Sequence, residues 1–140
     1  MKRICLALAV VLVSTASVAL ADISIRKGGS QWAKIENNGN VRIKGSIVGK
    51  VESNGTVRKR GSIVGKVESN GTIRKSGSII GKIETSGTLR KSGSIIGKIE
   101  SGGTIRKGGS SWGSASNCCG SHGGKRNVAA VLAFFSGDFF

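Results

Sequence analysis

A unit of 16 residues recurs along most of this chain and constrains its fold more than any other feature. One copy reads Gly61-Ser62-Ile63-Val64-Gly65-Lys66-Val67-Glu68-Ser69-Asn70-Gly71-Thr72-Ile73-Arg74-Lys75-Ser76. Self-similarity at a short fixed period marks repeated units that cannot bury an apolar face alone and must stack or surround an axis. On the Gly-Ser phase, full copies start at Gly29, Gly45, Gly61, Gly77 and Gly93. Phased from Asp22, six units start at 22, 38, 54, 70, 86 and 102 and end at Asn117. The terminal units are atypical: Trp32 and Trp112 stand where inner units have Val or Ile.

Each unit reads as two short strands, such as Thr56–Lys59 and Ser62–Glu68. β-Branched residues dominate both and suit a pleated surface, while the glycine density opposes a helix. The joints are Asn54-Gly55 and its equivalents at one end and Arg60-Gly61 and its equivalents at the other. Asn-Gly between strand runs predicts a type I′ hairpin turn, in which both central residues take positive φ. Alternation predicts that Ile63, Gly65 and Val67 share one face, with Val64, Lys66 and Glu68 on the other. In the first strand, Val57 and Lys59 share a face opposite Thr56 and Arg58.

The charge is patterned with the repeat. The chain carries 22 basic and 7 acidic residues, a net charge of +15. Arg26, Arg42, Arg58, Arg74, Arg90 and Arg106 are equivalent, as are Lys34, Lys50, Lys66, Lys82 and Lys98, and Glu36, Glu52, Glu68, Glu84 and Glu100. One unit per coil in a β-solenoid would stack six arginines at strand spacing, and like charges directly opposite destabilise a sheet. A closed array about an axis spreads them. The expected fold class is therefore all-β: tandem 16-residue β-hairpin repeats in a closed, pseudo-symmetric, flower-like array, with a β-solenoid as the alternative and a hydrophobic C-terminal segment. The ladders have two readings, a solvated face that keeps an Ile- and Val-rich protein soluble, or an array for a repeating polyanion.

The repeated Gly-Ser-Ile-Val-Gly-Lys-Val-Glu-Ser-Asn-Gly-Thr-Val-Arg-Lys unit follows an apolar N-terminal segment and precedes Val128-Ala129-Ala130-Val131-Leu132-Ala133-Phe134-Phe135. In this it resembles the bacterial β-flower proteins, small exported proteins of hairpins arranged about an axis, over nearly the whole chain after residue 21. The resemblance implies a fold and a compartment, with no activity and no site residues.

Met1-Lys2-Arg3, the apolar run Ile4–Leu20 and Ala19-Leu20-Ala21 have the form of a secretory signal peptide over 1–21. Export to the periplasm, cell surface or medium is expected. The repeat domain spans 22–117, a Gly-rich linker 118–126 and a hydrophobic segment 127–140. That last segment holds all four phenylalanines and is read as a core plug or final strand, a buried helix over Val128–Phe135, or a membrane or partner contact. It is too short to span a bilayer as a helix, and the repeat strands fall short of the 9–11 residues of membrane barrels, which argues against a barrel. Adjacent Cys118 and Cys119 leave open free thiols, a vicinal disulfide or intermolecular bridges. With His122 they supply three metal ligands at most, short of a closed zinc set, so no metal is expected.

No catalytic site assembles from these residues. The one His lies in the linker, Asp22 and Asp138 are terminal, and every Glu has the same repeat position. Paired carboxylates in contrasting environments, the usual acid–base signature, are not identifiable. The expectation is a structural or envelope-associated protein that is not an enzyme and uses no cofactor. The alternative is a multivalent binder of anionic glycan or lipopolysaccharide through Arg58, Arg74, Arg90, Lys50, Lys66 and Lys82. Nucleic acid is the least supported partner, because the repeats carry no aromatic residue for base stacking.

Overall fold

The computed structural model describes residues 22–140, so the predicted signal peptide, 1–21, lies outside the described residues. The repeat forms twelve strands: β1 (Ile23–Lys27), β2 (Ser30–Ile35), β3 (Asn40–Ile43), β4 (Ser46–Val51), β5 (Thr56–Lys59), β6 (Ser62–Val67), β7 (Thr72–Lys75), β8 (Ser78–Ile83), β9 (Thr88–Lys91), β10 (Ser94–Ile99), β11 (Thr104–Lys107) and β12 (Ser110–Ser116). Each pairs antiparallel with its sequence neighbours, and β1 pairs with β12, Ile25 opposite Ala115, so the sheet closes into a barrel. Six hairpins, one per repeat, complete the circle. The closed array of hairpins expected from the repeat is the observed arrangement, in place of the β-solenoid alternative, and its strands are 4–7 residues long.

Two details of the hairpins differ from the sequence reading. The type I′ turn sits at Arg60-Gly61 and its equivalents, where φ is 49° and 84°, and not at Asn-Gly. At the Asn-Gly end, Gly55 N–H donates to the Glu52 carbonyl at 2.9 Å, and the Asn54 side chain accepts from the Thr56 amide at 3.0 Å. That makes a longer turn in which only the glycine has positive φ, 91° at Gly55. The second correction concerns faces. Arg58 pairs with Ile63 and Val57 with Gly65, which leaves Val64 as the extra residue of a β-bulge. The bulge interrupts the alternation. Gly65 and Val67 stay inside, Val64 packs on the core, and Ile63 turns out to solvent.

Small barrels fill themselves with their own side chains, but twelve strands enclose more space than Val and Ile can fill. The C-terminal segment occupies it. Helix α1 (His122–Val131) starts within the stretch read as a linker. The Ser121 hydroxyl caps it by accepting from the Gly124 amide at 3.1 Å. Gly124 is unfavourable in a helix, yet a Cβ there would overlap the Cys118 carbonyl, so the close approach requires glycine. Val128, Ala129, Ala130, Val131 and Leu132 are all fully buried, the all-round burial expected of a helix inside a core. They meet Ile25, Val41, Val57, Ile73, Leu89 and Ile105 of the barrel lining in one hydrophobic cluster.

A π-helical turn, Leu132–Ser136, follows and ends at Gly137, whose φ is 69°. The four phenylalanines of the C-terminal segment reach four different strands. Phe135 lies on Gly49, Phe134 on Gly65, Phe140 on Gly81 and Phe139 on Gly97. These glycines hold the same place in four consecutive repeats, so each ring takes the space that a missing side chain leaves. Of the readings of the hydrophobic segment, the core plug in helical form is the one observed.

Candidate functional site

With the interior filled, the chemistry of the repeat lies on the outer wall and at the rims. The side chains of Arg58, Arg74 and Arg90 lie along the wall. Each donates through Nε to a glutamate of the same repeat register, Glu52, Glu68 and Glu84, at 2.7 Å. Each also donates through Nη1 to the carbonyl of a turn glycine, Gly61, Gly77 and Gly93, at 3.0–3.2 Å. Arg42–Glu36 and Arg106–Glu100 repeat the pairing. These pairs are about one-third exposed, where an ion pair adds little stability but fixes the guanidinium in place.

The lysines are placed differently. Lys50 stands directly opposite Arg58, Lys66 opposite Arg74 and Lys82 opposite Arg90. The six residues singled out from the sequence are thus brought together as three cross-strand cationic pairs, each between one hairpin and the next. Among the described residues, none of these three lysines makes a salt bridge, and all three are exposed. Like charges directly opposite destabilise a sheet. The one glutamate on each arginine compensates half of each pair. A groove of about 280 Å³ runs along this wall, lined by Ile63, Val64, Lys66 and Arg74 among others.

The rim at the Arg60-Gly61 end holds cations that the sequence reading did not single out. Lys59 sits over the ring of Phe135 at 5.9 Å, Lys107 over Phe139 at 5.9 Å and Lys27 over Trp112 at 5.6 Å. Their alternation with Val57 and its equivalents was visible in the sequence; the rings of Phe135 and Phe139 come from the distant tail, and that of Trp112 from the last repeat. Trp32 and Trp112 meet edge to face at 5.6 Å across the seam between the first and last repeats. Asp138 accepts from Trp112 Nε1 at 3.0 Å and pairs with Lys27 at 2.7 Å. The Lys27 hydrogen bond, then that of Trp112, holds the Asp138 carboxyl below its ordinary value.

At the other rim, Lys125 is buried and donates to the Thr85 carbonyl at 3.1 Å, which fastens the start of α1 to the β8–β9 turn. Both nitrogens of His122 are buried without a hydrogen-bond partner among the described residues. Burial, followed by the nearby Arg126 and Lys125 charges, lowers its pKa. Cys118 and Cys119 are joined to each other as a vicinal disulfide, which resolves the alternatives left open above. Their sulfurs are therefore engaged with each other. Among the described residues, no helix is long and apolar enough to cross a membrane.

No protein-family model, curated protein or solved structure matches the chain.

Proposed function

We propose that this chain is an exported, envelope-associated bacterial repeat protein of the β-flower kind, structural in role and without catalytic activity. The observation that carries this reading is the plug. The C-terminal segment occupies the interior with fully buried Val128–Leu132, and the four rings cover the glycines of the inner wall. A barrel filled by its own chain meets its surroundings through the outer surface, where the four inner hairpins repeat the same polar residues.

A second reading, multivalent binding of an anionic glycan or lipopolysaccharide, is favoured by the pairs Lys50–Arg58, Lys66–Arg74 and Lys82–Arg90. Several weak contacts engaging one repeating polyanion raise avidity well above any single contact when the spacing matches. Retention of the chain on a cell-envelope fraction at low and high salt tests both readings. Salt-independent retention supports the structural role alone. Release by salt, together with weaker binding of the Lys50→Gln/Lys66→Gln/Lys82→Gln variant to lipopolysaccharide, supports polyanion binding. No retention at any salt contradicts envelope association.

A further inference from the structure

Each wall arginine has a second neighbour besides its lysine. Across the next strand pairing, Arg42 stands opposite Ile47, Arg58 opposite Ile63, Arg74 opposite Ile79 and Arg90 opposite Ile95. The wall therefore carries rows of lysine, arginine and isoleucine on adjacent strands, such as Lys66, Arg74, Ile79, repeated on successive hairpins. At a strand spacing near 4.8 Å, one row spans about 10 Å. The isoleucines are 54–63% exposed, and they are the exposed large hydrophobic residues among those described.

The bulge explains how they come to be outside, but solubility gives no reason to put Ile there. The terminal repeats carry Gln31 and Ser111 at the same position. The barrel accepts polar residues at this place and has isoleucine on four consecutive hairpins, which gives the wall an apolar front and a polar back. A soluble polyanion gains nothing from isoleucine. A second copy of the chain would bring two cationic walls together. An amphiphile with an anionic head and an acyl chain satisfies both features, head on the Lys–Arg pair and chain on the isoleucine.

We propose that the outer wall between β4 and β10 docks on a bilayer rich in anionic lipid through two adjoining rows at a time, with their Lys–Arg pairs on lipid phosphates and their isoleucines, such as Ile63 and Ile79, at the headgroup–acyl boundary. This rests on the polyanion reading above and names the surface that supplies the anion. Interfacial binding of this kind combines buried apolar area with attraction to anionic headgroups. The curvature of the barrel turns two adjoining hairpins, and so two rows, toward one plane.

The test uses residues 22–140, which include every strand and the plug. Sedimentation with phosphatidylglycerol–phosphatidylcholine vesicles, and with phosphatidylcholine vesicles alone, is run beside a titration with soluble polyphosphate. The parent is compared with a variant carrying Ile47→Ser, Ile63→Ser, Ile79→Ser and Ile95→Ser, its fold checked by circular dichroism. An Ile63→Ser/Ile79→Ser double variant is the milder version. The expected result is binding to the anionic vesicles alone, weakened on the order of tenfold or more in the serine variants through lost apolar burial, with polyphosphate binding unchanged. Equal vesicle binding by parent and serine variants overturns the proposal, as does a serine effect seen only as loss of self-association. Polyphosphate binding without vesicle binding overturns this proposal and leaves the polyanion reading standing. Binding to neither overturns both.

Discussion

The ring of Phe134 rests on Gly65, so closely that a Cβ on the glycine would overlap both the ring and the Arg74 carbonyl of the neighbouring strand. The glycine is a fitted absence of side chain, supplied by the repeat and used by the tail. Gly65→Ala is therefore expected to destabilise the barrel by about 1–3 kcal/mol, the usual cost of overpacking a filled core. Chemical denaturation of both proteins checks this. Pairing Gly65→Ala with Phe134→Ala separates the two overlaps, because the double variant recovers only the part due to the ring.

Removal of residues 127–140 takes Val128, Ala129, Ala130, Val131, Leu132 and Phe139 out of the barrel interior, all of them buried. The lining of Ile, Val and Leu is then left without a partner. Exposed apolar surface on that scale promotes association. The truncated protein is expected to aggregate, or to lose its cooperative melt, in size-exclusion chromatography and calorimetry. A monomer that melts as the parent does contradicts the plug.

The hairpins were legible because they depend on local chemistry. Val57 followed by Arg58 and Lys59, bounded by Gly55 and Gly61, allows few other structures. Closure was legible from the spacing of like arginines, and the edge-to-face contact of Trp32 with Trp112 lies at that seam. The outward turn of Ile63 was not. A bulge comes from a register shift between strands, and strict alternation cannot reveal one extra residue in Ser62–Val67. The start of α1 was hidden for a different reason. Gly123 and Gly124 have poor helix propensity, and only the approach of the Cys118 carbonyl accounts for Gly124. The pairing of each wall arginine with its glutamate was hidden in the same way. Equal repeat position identifies ladders, but the turn geometry decides which members meet.

Asp138 links the tail to the seam through Lys27 and Trp112, with Lys107 also nearby. Its carboxyl is held below the ordinary range, so its contribution is fully present above the unfolded value of about 4 and is lost as pH falls through the lower folded value. The parent is expected to melt above Asp138→Asn at neutral pH, and the gap is expected to narrow below about pH 4. Paired melting curves across that range check it. A gap that does not change with pH shows that the charge of Asp138 is not what holds the tail there.

The interior that holds the plug exists only in a barrel that closes through β1 and β12. Amide hydrogen exchange on residues 22–140, read residue by residue, tests this directly. In a closed barrel, the amides within both strands have partners on either side, so they exchange as slowly as those of β6 and β7. If β1 and β12 were instead the free edges of an open or solenoidal array, alternate amides in each would face solvent. Fast exchange at alternate positions of Ile23–Lys27 and Ser110–Ser116, against uniform protection in β6 and β7, would contradict closure.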